Sequence, residues 1–340
     1  MTWTIFVLTI AAMASSRLSA LGFIHHPSAN INPRKSMHCS LPRRKKPRRR
    51  SSSYNAIVDH NDDLLPPNPS SSKPKGRVCV AFPGGGIFFY WQAGVIAYLQ
   101  EEGYNLSSQN AILSGASAGA LSATLAKMGV NPYHATTLAL SMSEEAGIWD
   151  RPSGLQGIWG RVIHDWLDRL LPTNADERAE DELHILVTPV PSFGKRRISK
   201  FENRQDLINA NMASVHLSYA VVFILTIFDD STVNSISNID VSPRYQPWFL
   251  DGNLTSTFRG TPYIDGSFLA RPSDYFDEKL YYSKDPNLTI DFKSDPVMKD
   301  RAFEFIKVVS KQTIWDILEQ GKRHGKIMDR EGKFDILPRH

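Results

Sequence analysis

Cysteine is scarce in this sequence: the 340 residues contain two, Cys39 and Cys79. Cys39 lies in a basic, proline-containing stretch, and Cys79 lies in an apolar run. A disulfide framework and a cysteine-based zinc site are therefore both excluded. What is present is 41% apolar residues, enough to bury a sizeable core in one large domain or two small ones.

Acidic residues are absent from the first 58 positions, which hold ten of the 39 Lys and Arg residues. The rest of the chain holds the other 29 basic residues and all 35 acidic ones. The formal net charge of +4 is therefore the sum of +10 on residues 1–58 and −6 on the remainder. Because the positive charge belongs to a separable segment, it does not indicate that the remainder binds nucleic acid.

Long hydrophobic runs are also lacking near the N-terminus, where the apolar run at 3–14 is too short to span a bilayer comfortably. This run ends in an A-x-A site, which is typical of a signal peptide, and a stretch rich in Ser, Arg and Lys follows. Together they resemble the bipartite leaders of algal plastid proteins. We predict that residues 1–60 are a targeting leader into the secretory route and onward to a plastid. The run RRKKPRRR at 43–50 has rival interpretations as a nuclear signal or a polyanion-binding patch.

The folded domain is expected over 77–330, after a Pro- and Ser-rich linker at 61–76. Apolar runs and helical spacing predict a βαβα unit at its start, hence a mainly parallel sheet covered by helices. The first helix is expected to bury one side, formed by Trp91, Val95, Tyr98 and Leu99. The predicted elements are strands at 78–82, 110–113, 182–190 and 261–266, and helices at 89–103, 118–126, 202–214 and 303–320. In the last helix the expected inward residues are Phe305, Ile306, Val309, Ile314, Ile317 and Leu318.

Ser117 lies between the second strand and its helix, in the pentapeptide GASAG at 115–119. Strand, sharp turn and helix with a serine at the apex is the setting of a G-x-S-x-G nucleophile elbow. The competing interpretation is a small residue in a tight turn, because Gly, Ala and Ser are common and the five-residue pattern alone is weak.

Three glycines, Gly84, Gly85 and Gly86, follow the first strand directly. Their uncovered backbone N–H groups could cradle a phosphate or an oxyanion. A dinucleotide motif would need glycine at position 89, which is Phe, and no Lys-Ser/Thr follows to make a P-loop. The loop lies one strand away from the elbow, where acyl-transfer chemistry requires an oxyanion hole.

A serine nucleophile needs a base, and no histidine after Ser117 follows a clear strand in a Gly- or Asp-flanked turn. Asp265, in YIDGS, does end a predicted strand. Gly266 follows it and lets the backbone turn, so that the Asp265 side chain can point into a site. A plain Asp-Gly hairpin turn explains the same residues, and Asp251-Gly252 is a second such pair.

Taken together, PGGG, GASAGAL and YIDGS resemble the motifs of patatin-like phospholipases, and FENRQDLINANMAS and FRGTPYIDGSF resemble the adiponutrin-type branch. The resemblance covers 78–325 and implies a three-layer α/β fold and a lipid acyl hydrolase with a Ser–Asp dyad. By motif position, it makes Ser117 the nucleophile and Asp265 the base, with the three loop glycines as oxyanion donors. It further implies no cofactor, no metal and no nucleic-acid partner. The partner it implies is a glycerolipid substrate at a membrane or lipid-droplet surface, bound peripherally.

Two departures from the family pattern stand out. The family's G-G-G-x-R-G loop has Phe88 and Phe89 in place of its Arg and last Gly, which adds apolar bulk suited to lipid contact. Residues 218–246 interrupt a passage that is continuous in the family, and we expect them to lie outside the central sheet. They are either a lipid-facing insertion or translated intron sequence, and a loop of this length without evident function is unusual.

Two other functions stay open on the sequence. One is an α/β-hydrolase with a triad of Ser117, an Asp and His324. The other is a non-catalytic lipid-binding homologue that keeps the fold with an altered glycine loop.

Overall fold

The computed structural model of the protein describes residues 77–151, 154, 157–216, 255–276, 287–307 and 309–340. All of them lie within one compact unit, Pro74–His340. The predicted leader, the predicted linker, the 218–246 segment and Asp251 lie outside the described residues.

The described residues form seven β-strands and seven α-helices. The strands are β1 (Val78–Phe82), β2 (Ala111–Ala116), β3 (Leu183–Pro189), β4 (Arg196–Ile198), β5 (Ser256–Phe258), β6 (Thr261–Ile264) and β7 (Asn287–Thr289). The helices are α1 (Phe89–Glu101), α2 (Ala118–Met128), α3 (Pro132–Glu145), α4 (Trp159–Leu170), α5 (Ala175–Ala179), α6 (Arg204–Val215) and α7 (Lys311–Arg330). Short 3₁₀ helices lie at Gly86–Phe88, Pro272–Tyr275, Phe292–Ser294 and Lys299–Ile306.

The strands form one mixed, mainly parallel sheet in the order β5-β6-β3-β2-β1-β7, and β4 also pairs with β3. The pairs β7-β1, β1-β2 and β2-β3 are parallel, whereas β4, β5 and β6 pair antiparallel. Strands β1, β2 and most of β3 are buried on both faces because helices flank the sheet, which explains their unbroken apolar sequences. The predicted three-layer α/β class is confirmed. The order also places the C-terminal end of β2 at the centre of the sheet, between β1 and β3.

The four residues predicted on one side of helix α1 are all buried, but the helix is buried around most of its circumference rather than on that side alone. The cause is α7, which packs against α1 with backbone close to backbone. A Cβ atom added to Gly94 would lie 1.9 Å from the carbonyl oxygen of Leu318, and one added to Gly321 would lie 1.9 Å from that of Trp91. The Tyr98 hydroxyl also donates to Oδ2 of Asp329 at 2.7 Å.

The predicted helix at 303–320 is in fact two elements. A 3₁₀ helix ends at Ile306, and α7 begins at Lys311, where Ser310 caps it by accepting a hydrogen bond from the Thr313 N–H. Ile314, Ile317 and Leu318 are buried as predicted. Phe305 and Val309 precede α7 and so do not share its inward side. Within the described part of the chain, no helix combines the length and apolar character needed to cross a membrane.

Candidate active site

Ser117 occupies the turn between β2 and α2, as the motif predicts. Its backbone angles are φ 54° and ψ −130°, a conformation that residues other than glycine adopt rarely and at a cost in free energy. The turn joins the last residue of the central strand to the first residue of a helix. A sharp, strained turn of this kind presents the serine hydroxyl at the edge of the sheet.

The two glycines of the motif are required by close backbone approaches. A Cβ atom on Gly115 would lie 2.2 Å from the carbonyl oxygen of Gly119. One on Gly119 would lie 1.9 Å from the carbonyl oxygen of Phe82, at the end of β1. The first turn of α2 therefore packs directly against the end of β1, where the glycine loop begins.

Asp265 follows β6 directly, and its side chain is buried with 1% of its surface exposed. Oδ1 accepts hydrogen bonds from the backbone N–H of Ser267, at 2.8 Å, and from the Ser267 hydroxyl. Oδ2 has no hydrogen-bond partner in the described part of the chain. One carboxylate oxygen is thus held in place, and the other is left to accept a proton.

Burial raises the pKa of the Asp265 carboxyl above its usual range, which disfavours the charged form. The hydrogen bonds from Ser267, the Ser117 hydroxyl and the charge of Lys195 each lower this pKa, but they offset burial only in part. The Ser117 hydroxyl is therefore a neighbour of the carboxyl, although the two side chains make no hydrogen bond of ordinary geometry. Such contacts are often long before substrate binds.

The glycine loop lies against Ser117 and against Ser267, the residue that hydrogen-bonds the Asp265 carboxylate. A Cβ atom on Gly84 would lie 2.7 Å from Cβ of Ser267 and 3.0 Å from Cβ of Ser117. One on Gly85 would lie 3.0 Å from the Phe292 ring, and one on Gly86, where φ is +55°, would lie 1.9 Å from the Phe305 carbonyl oxygen. The loop can approach the elbow this closely only because it has no side chains.

Two buried side chains beside the loop were not found by sequence reasoning. The Gln92 amide donates to the carbonyl oxygen of Pro83 at 2.8 Å and so holds the start of the loop. The Tyr275 hydroxyl neighbours the backbone N–H of Gly84, which lowers the pKa of the phenol, while burial raises it more. Neither residue carries a motif that marks it in the sequence.

Phe88 and Phe89 are buried, so the expectation that they contact lipid is wrong. Phe88 has no exposed surface and stacks on Phe292 with 4.0 Å between ring centroids. Phe89 is 8% exposed and meets the edge of Trp166 at 5.6 Å. Their apolar bulk belongs to the core beneath the glycine loop.

Ser214, near the end of α6, joins the elbow to the Asp265 loop. Its hydroxyl oxygen accepts a hydrogen bond from the Ser117 N–H at 2.9 Å, and its own proton goes to the Leu186 carbonyl oxygen at 2.6 Å. Its backbone carbonyl accepts from the Gly266 N–H at 2.8 Å. No motif in the sequence marks this residue.

Lys195 braces the same loop from the connection between β3 and β4. Its ammonium group donates to Oγ1 of Thr188 at 2.7 Å, to the carbonyl oxygen of Gly266 at 3.2 Å and to that of Phe268. The Thr188 hydroxyl in turn donates to the Asp265 carbonyl oxygen at 2.9 Å. The loop that carries Asp265 is therefore held from two sides.

His324 lies on α7 among other partners than Ser117. Its Nε2 is 3.3 Å from Oγ of Ser294 and its Nδ1 is 3.9 Å from Oδ1 of Asp295, with the Trp91 ring beside it. Burial lowers the pKa of this imidazole. The contacts described for His324 thus supply no triad with Ser117. The described residues also hold no group of three or more His, Cys, Asp or Glu side chains able to bind a metal ion.

A strained serine at the end of the central strand, a buried carboxylate and a glycine loop define an α/β protein with the geometry of a serine acyl-transfer site. Residues 80–276 match the family model described as patatin-like phospholipase, which is more than half of the chain. The chain belongs to the patatin-like phospholipase family. This membership supports a lipid hydrolase or acyltransferase activity in general.

Curated relatives agree with this assignment. The chain is 31% identical over 140 residues to human patatin-like phospholipase domain-containing protein 2, covering 40% of this chain and 27% of that protein. It is 22% identical over 206 residues to the mouse omega-hydroxyceramide transacylase, covering 60% of this chain and 29% of the relative. The chain thus matches less than a third of the length of either relative.

Proposed function

We propose that this protein is a serine carboxylic-ester hydrolase that cleaves acyl chains from glycerolipids, with Ser117 as nucleophile and Asp265 as base. The observation that carries the proposal is the unpartnered Oδ2 of a buried carboxylate beside the Ser117 hydroxyl. The glycine loop lies against Ser117 and against Ser267, whose hydroxyl bonds the Asp265 carboxylate. All three parts of a dyad esterase are then present at one edge of the sheet.

The proposed reaction has two halves. In the first, the Ser117 oxygen attacks the ester carbonyl carbon while its proton passes to Asp265. The tetrahedral intermediate collapses as Asp265 returns that proton to the leaving alcohol, and the acyl group stays on Ser117. In the second half, Asp265 takes a proton from water, the resulting oxygen attacks the acyl-serine, and the fatty acid leaves as Ser117 regains its proton.

The raised pKa of Asp265 suits this role. A carboxylate of ordinary pKa is a weak base for a serine alcohol, and burial brings the pKa nearer to the working pH. The backbone N–H groups of Gly84, Gly85 and Gly86 are the proposed donors to the oxyanion.

The test is hydrolysis of a short-chain ester and of a glycerolipid by residues 77–340 carrying single substitutions. Ser117→Ala and Asp265→Asn should each lower kcat by roughly 10³-fold or more, the scale on which loss of a nucleophile or its base acts. Ser122→Ala is the matched control, because Ser122 is a buried serine on α2 whose hydroxyl donates to the Ala118 carbonyl oxygen of the same helix at 3.3 Å. If Asp251→Asn abolishes activity while Asp265→Asn leaves kcat unchanged, Asp265 is not the base.

The proposal names no cofactor and no metal, because nucleophile, base and oxyanion donors are all protein groups. Activity should therefore survive EDTA in a short-chain ester assay. Loss of the chemical step on chelation would contradict the dyad. His324→Ala should keep the activity, and a fluorophosphonate probe should label Ser117, which a non-catalytic homologue would not allow.

A second candidate is acyl transfer to a lipid hydroxyl group, supported by the similarity to omega-hydroxyceramide transacylases. The acyl-serine is the same in both reactions, and only the acceptor differs. Product analysis with and without a long-chain alcohol separates them: free fatty acid alone indicates hydrolysis, whereas a new ester indicates transfer.

We also propose peripheral binding to a membrane or lipid-droplet surface, which a glycerolipid substrate requires. For residues 1–60 we propose delivery through the secretory route toward a plastid. A fluorescent fusion of that segment tests the second proposal, and its accumulation in the nucleus would favour the rival interpretation of the basic run.

A further inference from the structure

The side-chain hydroxyl and the backbone carbonyl of Ser214 both form hydrogen bonds at the candidate site. Its side chain has no exposed surface, and its hydroxyl both accepts from Ser117 N–H and donates to the Leu186 carbonyl on β3. Its backbone carbonyl accepts from Gly266 N–H. One residue of α6 therefore contacts the nucleophile residue, the central sheet and the residue that follows Asp265.

The Ser117 N–H needs an acceptor from outside the strand. Ser117 follows Ala116, the last residue of β2 and the last that pairs with β3, so its N–H lies past the paired part of the strand. The Ser214 hydroxyl supplies that acceptor at 2.9 Å. Loss of this bond would leave the N–H of Ser117, in the strained turn, without the acceptor that α6 supplies.

Gly266 allows α6 to come close enough for the second contact. A Cβ atom on Gly266 would lie 2.7 Å from Oγ of Ser214 and 2.0 Å from the Leu186 carbonyl oxygen. Any side chain at this position would push the Asp265 loop away from α6. Gly266 and Ser214 are therefore packed closely against each other and against Leu186 on β3.

We propose that Ser214 is a positioning residue that sets the spacing between the Ser117 hydroxyl and the Asp265 carboxylate. The inference rests on the proposed function, because it assigns Ser214 to the same dyad. Ser214 does not touch the reacting atoms; it holds the backbone of both residues that do. Its hydroxyl fixes the Ser117 side of the pair, and its carbonyl fixes the Asp265 side.

The test compares Ser214→Ala with Thr124→Val in residues 77–340. Thr124 is the matched control because its hydroxyl bonds Oδ1 of Asn211 at 3.0 Å, in a buried contact between the same two helices, α2 and α6. We expect Ser214→Ala to lower kcat by roughly 10- to 100-fold with little change in KM, because misplacing a reacting group by about 1 Å can cost about 100-fold. Thr124→Val should lower the melting temperature and leave kcat within about twofold. Equal losses of kcat in both variants, or a kcat for Ser214→Ala within twofold of wild type, would overturn the proposal.

Amide hydrogen exchange tests the contacts independently of activity. In Ser214→Ala the Ser117 amide should exchange about tenfold faster or more, because exchange follows the opening of its hydrogen bond. The Gly266 amide should be unchanged, since it bonds the backbone of residue 214. Equal acceleration at both amides would indicate general loosening and contradict a positioning role.

The two proposals fail in distinguishable ways. A wild-type protein without esterase or transferase activity overturns the proposed function, and the exchange experiment still decides whether Ser214 holds Ser117. Should Ser214→Ala fail to fold, Ser214→Thr, which keeps the hydroxyl, takes its place. It should retain at least about a tenth of the wild-type kcat on the same positional argument, and a folded but inactive Ser214→Thr would overturn the inference.

Discussion

The two oxygens of the Asp265 carboxyl group have different surroundings. Ser267 donates twice to Oδ1, while Oδ2 has no hydrogen-bond partner among the described residues. Burial raises the pKa of this group, and the hydrogen bonds and Lys195 only partly reverse the effect. A carboxyl in this state is both a better base and a source of instability when ionised.

The first prediction at this scale concerns the pH dependence of activity. The base must be ionised, so kcat/KM should fall as the pH drops through the pKa of Asp265. Because that pKa is raised above the ordinary value of 3.8, the acid limb should lie at higher pH than a normal aspartate would give. A pH–rate profile of the short-chain ester reaction checks this, and a profile that stays flat down to pH 4 would contradict it.

The second prediction concerns stability. A carboxyl whose pKa is higher in the folded than in the unfolded protein destabilises the fold once it ionises. This cost is absent below the unfolded pKa and grows as the pH rises through the folded pKa. Asp265→Asn should therefore have a higher melting temperature than wild type at pH 7, and the difference should shrink on acidification. A variant that is less stable at pH 7 would show that the ionised carboxylate contributes net stability.

Ser117, Asp265 and the loop glycines could be predicted from the sequence because their constraints are local. Gly115 and Gly119 mark close approaches within five residues, and a strand followed by Asp-Gly marks a turn. Ser214 and Lys195 could not be predicted in the same way. Their partners lie far away in the chain, and only the packing of α6 and the β3–β4 connection against β6 brings them together.

At the scale of elements, the β3–β4 connection has a role that its length does not suggest. Lys195 near its end bonds Thr188 and two carbonyl groups of the Asp265 loop. The positive charge lowers the pKa of the carboxyl, although burial is the larger effect. This connection therefore lowers the pKa of the Asp265 carboxyl and also holds its loop in place.

Lys195→Met should raise the pKa of Asp265 further, because it removes a charge that favours the ionised form. The acid limb of the pH–rate profile should move to higher pH, and Lys195→Arg should leave it nearer the wild-type position. Lys200→Met is the control, since Lys200 is 71% exposed and pairs with an exposed Asp181 at 3.9 Å. An acid limb that does not move in Lys195→Met would contradict the electrostatic role of this lysine.

Long apolar or periodic elements were predicted well, and short ones were not. β1, α1, β3 and α6 lie within two residues of their predicted bounds. Strands β4, β5 and β7 have three residues each, too few to show an alternating pattern, and they form through pairing with longer neighbours. The break before α7 escaped prediction because Ser310 is a helix cap only when the chain actually turns there.

At the scale of the whole molecule, the order of the strands decides where the chemistry can occur. β2 lies between β1 and β3, so the elbow, the loop after β1 and the Asp265 loop beside β3 meet at one edge. The βαβα pattern predicts the first two of these neighbours. It does not predict that β6 joins the far side of β3 antiparallel, which is what brings Asp265 to Ser117.

The close packing of α1 on α7 has a consequence for where an expressible unit of this protein ends. The family match stops at residue 276, whereas α7 begins at Lys311. Ile314, Ile317, Leu318 and Met328 are nearly or completely buried. At about 1.5–3 kcal/mol per buried apolar side chain, their loss is comparable to the whole stability of a typical domain, about 5–15 kcal/mol.

A fragment of residues 77–276 should therefore fail to unfold cooperatively and should aggregate, while 77–340 should give a single sharp thermal transition by circular dichroism. A cooperative transition in the shorter fragment would show that the fold does not need α7. The family match is thus narrower than the unit we expect to fold autonomously, and a truncation planned on the match would discard a helix whose apolar side chains complete the core.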